Sequence, residues 1–121
     1  MRKLSMKAAF SVAALALVLQ GRAADAPKKT PELVDKGKAL FAKSCASCHG
    51  AKGEGDGLAA KALNPKPRNL VTNPVKGGAP AIFEVLTSGK KGTAMISYKH
   101  LSEDDRWALS YYVDSLKAAK K

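Results

Sequence analysis

Cysteine is nearly missing from this chain: its 121 residues hold two, Cys45 and Cys48, inside one five-residue window. No long-range disulfide framework can therefore brace the fold. Acidic residues are also scarce, 10 against 21 Lys and Arg. Aromatic residues make up 6% of the sequence, so large rings are available at only a few core positions. Strict apolar/polar alternation and internal repeats are absent, which excludes a half-buried sheet and a solenoid as the organising plan. No recognition helix or base-stacking motif accompanies the basic charge, so a nucleic-acid partner is excluded. The only long apolar run, Ala8 to Leu19, falls short of the roughly 20 residues a spanning helix needs.

That run instead completes a secretory signal. Arg2, Lys3 and Lys7 form a positive start, and small residues follow at Ala23, Ala24 and Ala26. Residues 1–24 are read as a signal peptide and 25–30 as a lead-in segment. Residues 31–121 form one folded domain. No cysteine follows the apolar run to carry a lipid, so no stable membrane anchor is expected, and the mature chain is placed in the periplasm. Of the 21 basic residues, Arg2, Lys3, Lys7 and Arg22 lie in the signal region. The 17 that remain face 10 acidic ones, a net charge of +7 with histidine neutral. A mature domain of roughly 95 to 100 residues is small for a core standing alone, and a cofactor is the remaining staple.

The domain reads as all-α. Thr30 is a candidate N-cap with Pro31 at the first helical position, and Leu33, Val34, Gly37, Leu40 and Phe41 recur at helical spacing. A first helix thus runs from Pro31 into the cysteines. The stretch from Gly50 to Gly78 is rich in glycine and proline and reads as loop, with a helical turn or two over Leu58 to Leu63. Pro80 begins a second helical stretch, with Ile82, Phe83, Val85 and Leu86 available for burial and Gly89 as terminator. A glycine- and lysine-rich loop follows. Ser102 then caps a last helix that opens with Glu103, Asp104 and Asp105 and runs to about Lys117.

The chemistry lies in Cys45-Ala46-Ser47-Cys48-His49. Two thiols separated by two residues can add across the two vinyl groups of one haem, and a histidine directly after the second thiol is then placed under the iron. A redox dithiol would need a βαβ context that is missing. A zinc site would need two further ligands; His49 and His100 can be counted, but a histidine adjacent to a ligating cysteine rarely closes a tetrahedron.

On this motif the sequence resembles the class I monohaem cytochromes c, over about Glu32 to Leu116. Gly37 and Phe41 stand eight and four residues before Cys45, where that family places the glycine and aromatic that pack on the C-terminal helix. Leu109 and Tyr112 look like the matching pair. The stretch His49 to Gly57 and the run Leu63-Asn64-Pro65-Lys66-Pro67-Arg68-Asn69-Leu70 are similar to a bacterial subgroup. So is Gly92-Thr93-Ala94-Met95 ahead of a helix with Trp107 and Tyr112. The resemblance implies three to five helices wrapped around one covalently bound haem c, with Cys45 and Cys48 as the attachment points. His49 and Met95 would be the axial ligands of the iron.

Met95 is the only methionine beyond residue 24. His100 is the competing ligand and is read as a surface or cap-region histidine. By resemblance, the second N–H of His49 should meet a backbone carbonyl at Pro65 or Pro67. Arg68 and Asn69 are candidates to reach a propionate. Trp107, Tyr111 and Tyr112 are read as packing between the terminal helices and the haem.

The implied function is electron transfer, with the chain acting as a soluble monomeric shuttle rather than an enzyme. Partners would be redox proteins with acidic docking surfaces, met by Lys90, Lys91 and Lys99. The alternatives are a haem-based enzyme or gas sensor with a displaceable methionine, and a haem subunit of a larger oxidoreductase complex.

Overall fold

A computed structural model of the chain describes residues 25–118. The signal-peptide expectation for residues 1–24 lies outside them. The described residues form four α-helices and one 3-10 turn, with no strand among them: α1 (Pro31–Ser44), α2 (Ala46–His49), the 3-10 turn (Ala60–Ala62), α3 (Gly78–Ser88) and α4 (Glu103–Ser115). The all-α expectation holds. No described helix is long and apolar enough to cross a membrane.

α1 begins as its sequence dictates. The Leu33 N–H donates to the Thr30 hydroxyl oxygen at 3.2 Å, and Pro31 occupies a position whose N–H would have no helical partner. At the other end of the chain, the Ser102 hydroxyl oxygen accepts the Asp105 N–H at 3.1 Å. Three carboxylates then line the first turn of α4 against its positive dipole end.

The two helices cross at Gly37. A Cβ there would overlap the Ala108 carbonyl and approach Tyr112 Cβ to 2.8 Å, so only glycine lets the backbones meet. One turn on, Phe41 packs edge-on against Tyr112 with ring centroids 5.3 Å apart. Phe41 and Leu109 are essentially fully buried. The residue facing Gly37 is thus Ala108, while Leu109 turns into the core beside Phe41.

α3 starts two residues before Pro80, at Gly78, and closes at Gly89, whose positive φ of 70° ends the helix while its N–H bonds the Val85 carbonyl at 2.7 Å. It packs on α4 through Phe83 and Trp107, stacked at 4.3 Å. Of the terminal aromatics, Tyr112 packs between α1 and α4 as expected, Trp107 does not, and none of the three lines the central cavity. Trp107 is spent on α3, Tyr112 on α1, and the Tyr111 hydroxyl donates to the Pro27 carbonyl at 2.6 Å. From α4 only Val113 reaches the central cavity.

A candidate haem site

α1 and α2 meet at Cys45, so this junction carries the first thiol and the short α2 carries Cys48 and His49. The Cys45 carbonyl accepts the His49 N–H at 2.9 Å and the Cys48 N–H at 3.2 Å. Cys45 is buried and Cys48 half-buried, and both thiols are free. Burial pushes the Cys45 thiol up to about 11, with the neighbouring Cys48 adding to the shift. The described elements are helical and supply no βαβ unit of the kind a thioredoxin-like dithiol sits on.

Both cysteines and His49 open onto a cavity of about 430 Å³. Its walls are mostly apolar, with Phe41, Leu70, Ile82 and Leu86 contributing buried side chains. Met95 and Tyr98 bring the loop after α3 to the same cavity, whereas His100 is exposed and lies against Tyr98, ring centroids 5.7 Å apart. The structure therefore gathers Cys45, Cys48, His49 and Met95 around one chamber and leaves the competing histidine outside it.

The imidazole orientation follows from one bond. A carbonyl can only accept, so the 3.1 Å contact between His49 Nδ1 and the Arg68 carbonyl oxygen fixes the proton on Nδ1. Nε2 is left with its lone pair free for a metal. Burial lowers the His49 pKa from its ordinary value, opposed in part by this bond, and so favours the neutral ring that ligation needs. Apolar walls, two thiols at haem-attachment spacing and a neutral imidazole with one free nitrogen together fit a covalent haem.

The acceptor was expected at Pro65 or Pro67 and is Arg68 instead. The physical reason is how the loop folds back. The Leu70 N–H donates to the Gly53 carbonyl at 2.7 Å, and a Cβ on Gly55 would lie 2.8 Å from the Pro67 carbonyl oxygen. This close crossing sets the register so that the carbonyl of residue 68 passes over His49. Arg68, which also lines the cavity, and Asn69 brace this loop. Arg68 Nη1 donates to the Asn73 carbonyl and side chain and to the Pro74 carbonyl, and Asn69 Oδ1 accepts the Val71 and Thr72 N–H groups.

Sequence reasoning missed Tyr98. Its hydroxyl donates to the Ser44 carbonyl at 3.2 Å, tying the Met95 loop to the end of α1. The only signal was an aromatic three residues after Met95, inside a segment otherwise written as loop.

A helical fold closed around an apolar chamber, with a Cys-x-x-Cys-His step on its wall, defines a haem-bearing electron-transfer protein. The comparison with known families agrees: the model of the Cytochrome c family matches residues 34–117, and the chain belongs to that family. It carries covalently bound haem c with its iron. The cytochrome c oxidase subunit CcoP, of the cbb3 type, from Helicobacter pylori is 35% identical over 98 residues, covering 74% of this chain and 30% of the relative. The corresponding subunit from an Azospirillum species is 33% identical over 111 residues, covering 86% and 34%. The chain thus spans about a third of the length of these relatives. Among solved structures, a chain of the reducing HAO-like protein complex of Kuenenia stuttgartiensis superposes with a TM-score of 0.64 at 28% identity. That match covers 77% of this chain and 45% of the other.

Proposed function

We propose that this chain is an exported, periplasmic single-haem electron carrier that takes and gives electrons by outer-sphere transfer and catalyses no reaction of its own. Cys45 and Cys48 would hold the haem by thioether bonds, and His49 Nε2 and the Met95 sulfur would ligate its iron. When bound, the haem supplies a one-electron couple. With the iron ligated on both sides by the chain, no substrate would reach it. The apolar walls keep water from the couple, and the covalent tether keeps the group in place through many encounters. Lys90, Lys91 and Lys99 on the Met95 loop give an exposed positive face, suited to acidic redox partners because steering raises the encounter rate without tight binding.

The observation that carries this reading is that one cavity receives both cysteines, His49 with its free nitrogen, and the only methionine of residues 25–121. The test is spectroscopic. The oxidised protein should show the weak far-red band of ferric methionine ligation, and Met95→Ala should erase it, lower the potential and admit carbon monoxide to the ferrous form. Cys45→Ser with Cys48→Ser should leave no haem fixed under denaturing conditions. Retention of haem by that double variant, or an unchanged spectrum in Met95→Ala, overturns the assignment.

A second reading is favoured by the relatives, which are subunits of an oxidase: the same haem domain works as a fixed relay within a larger complex. Mild purification separates the two. Recovery as an isolated monomer supports the shuttle, and co-purification with a stoichiometric membrane oxidoreductase supports the relay.

A further inference from the structure

Arg106 is the one buried lysine or arginine among the described residues, 6% exposed. No carboxylate lies within ion-pair distance of it among those residues. Taking a guanidinium out of water without a counter-ion is costly, so what stands in for that counter-ion decides what the residue does.

Two groups meet its guanidinium, and both belong to α3. Its Nη1 donates to the Thr87 hydroxyl oxygen, and its guanidinium carbon sits 4.9 Å from the centre of the Phe83 ring. The Thr87 hydroxyl gives its own proton to the Phe83 carbonyl at 2.8 Å, which leaves a lone pair for Arg106. The last turn of α3 contains no basic residue. Arg106 therefore brings from α4 the positive charge that a helix C-terminus favours, and the carbonyl end of α3 replaces the missing carboxylate.

The same turn carries the loop that bears Met95. The Tyr98 N–H donates to the Leu86 carbonyl at 2.7 Å, the Ser97 hydroxyl donates to the Thr87 carbonyl at 2.7 Å, and the Lys90 N–H donates to the Met95 carbonyl at 2.9 Å. Gly89 fits tightly beneath, where a Cβ would come within 2.7 Å of Ser97 N. Thr87 is thus held on its side chain by Arg106 and holds Ser97 on its carbonyl.

We propose that Arg106 is a positioning residue for Met95: by fixing the last turn of α3, it sets how firmly the thioether is held over the cavity. The proposal rests on the reading of Met95 as the distal iron ligand. Losing one hydrogen bond to a charged group should raise the population with Met95 off the iron roughly tenfold.

The test uses the haem-loaded protein, following the far-red methionine band and the helical circular dichroism together on heating, and titrating carbon monoxide into the ferrous form. Arg106→Met keeps the length of the side chain and removes charge and donors. Its band should vanish at a lower temperature than its helicity, with carbon monoxide affinity raised roughly tenfold. Arg106→Lys should recover part of both. Ser97→Ala, which cuts the last bond of the chain, should move both readouts in the same direction, and the double variant should show less than the sum. Band and helicity falling together in Arg106→Met, with carbon monoxide binding as in the wild type, would make the residue merely structural and overturn the proposal. If Arg106→Met does not fold, Ser97→Ala and Thr87→Val decide alone, and an unmoved band in both overturns it. A wild-type protein without the band overturns the Met95 reading as well, whereas a normal wild type with inert variants overturns this proposal alone.

Discussion

The crossing of α1 and α4 and the loops that close the cavity are built on different principles. At the crossing, one close backbone approach, Gly37 against the Ala108 carbonyl, lets side chains pack together: Phe41 against Tyr112, with Leu109 fully buried beside them. In the loops, backbone meets backbone. Gly53 accepts from Leu70, Gly57 donates to the Cys48 carbonyl, and Ala59 donates to the Ser47 carbonyl. Side-chain packing gives the crossing its stability, because removing apolar area from water stabilises more than exchanging a water partner for a protein one. Backbone bonding gives the loops their shape, and that shape aims His49 and Met95. The first region decides whether the chain folds, and the second decides what the folded chain does.

Substitutions that add a single methyl group test this division. Gly37→Ala places a carbon against the Ala108 carbonyl, with rigid helix on both sides. It should cost about 3 kcal/mol or more, measured by chemical unfolding of the haem-loaded protein. A cost near zero would mean that the two helices slide apart freely and that the crossing is not the stabilising unit. Gly55→Ala adds the same methyl in the loop, at a positive φ of 79° and 2.8 Å from the Pro67 carbonyl. Its stability cost should be smaller, roughly 1 to 2 kcal/mol. The larger change should be in the haem. The segment carrying the Arg68 carbonyl is displaced, the His49 ring loses its fixed orientation, and the potential shifts. An unaltered potential would show that this bond does not tune the ligand.

Tyr98→Phe separates the two roles within one residue. It keeps the ring on the cavity wall and removes only the donor to the Ser44 carbonyl. About 1 kcal/mol of stability should be lost, and the methionine band should weaken on heating before the helices melt. Simultaneous loss of band and helix would place Tyr98 with the crossing rather than with the loop.

The sequence was legible where periodicity and caps carry the information. Thr30 with Pro31 and Ser102 with its three carboxylates marked α1 and α4, because each depends on neighbours within a turn or two, whereas the contact of Gly37 and Phe41 with α4 was implied by the family resemblance. The five-residue motif was legible for the same reason, since its spacing is its chemistry. What could not be read is the register at which two loops cross. Whether Pro65, Pro67 or Arg68 offers its carbonyl to His49 depends on where residues 66–70 lie over residues 50–57, and no local preference records that. Trp107 illustrates the same limit on a helix. Its apolar character was plain, but whether it faced α3 or the cavity depended on the rotation of α4, which the Gly37 contact sets.

The smallest expected effect concerns the ion pair that links the two crossing helices. Lys36 Nζ lies 2.7 Å from Asp105 Oδ1, with the lysine about half exposed. The hydrogen bond to Asp105 raises the Lys36 pKa above its ordinary value of 10.5, slight desolvation opposes it, and the Asp105 and Asp104 charges add to it. A lysine whose folded pKa is raised binds its proton more tightly in the native state. The pair's contribution is therefore complete below pH 10.5 and is lost as pH rises through the higher folded value. Because solvent screens the pair, Lys36→Met should cost under about 1 kcal/mol at neutral pH and less in high salt. The difference in unfolding free energy between wild type and variant should shrink above pH 10.5. A difference that persisted unchanged at that pH would assign the loss to the packing of the lysine stem on α4. Even this pair would then belong to the side-chain contacts of the crossing rather than to its charge.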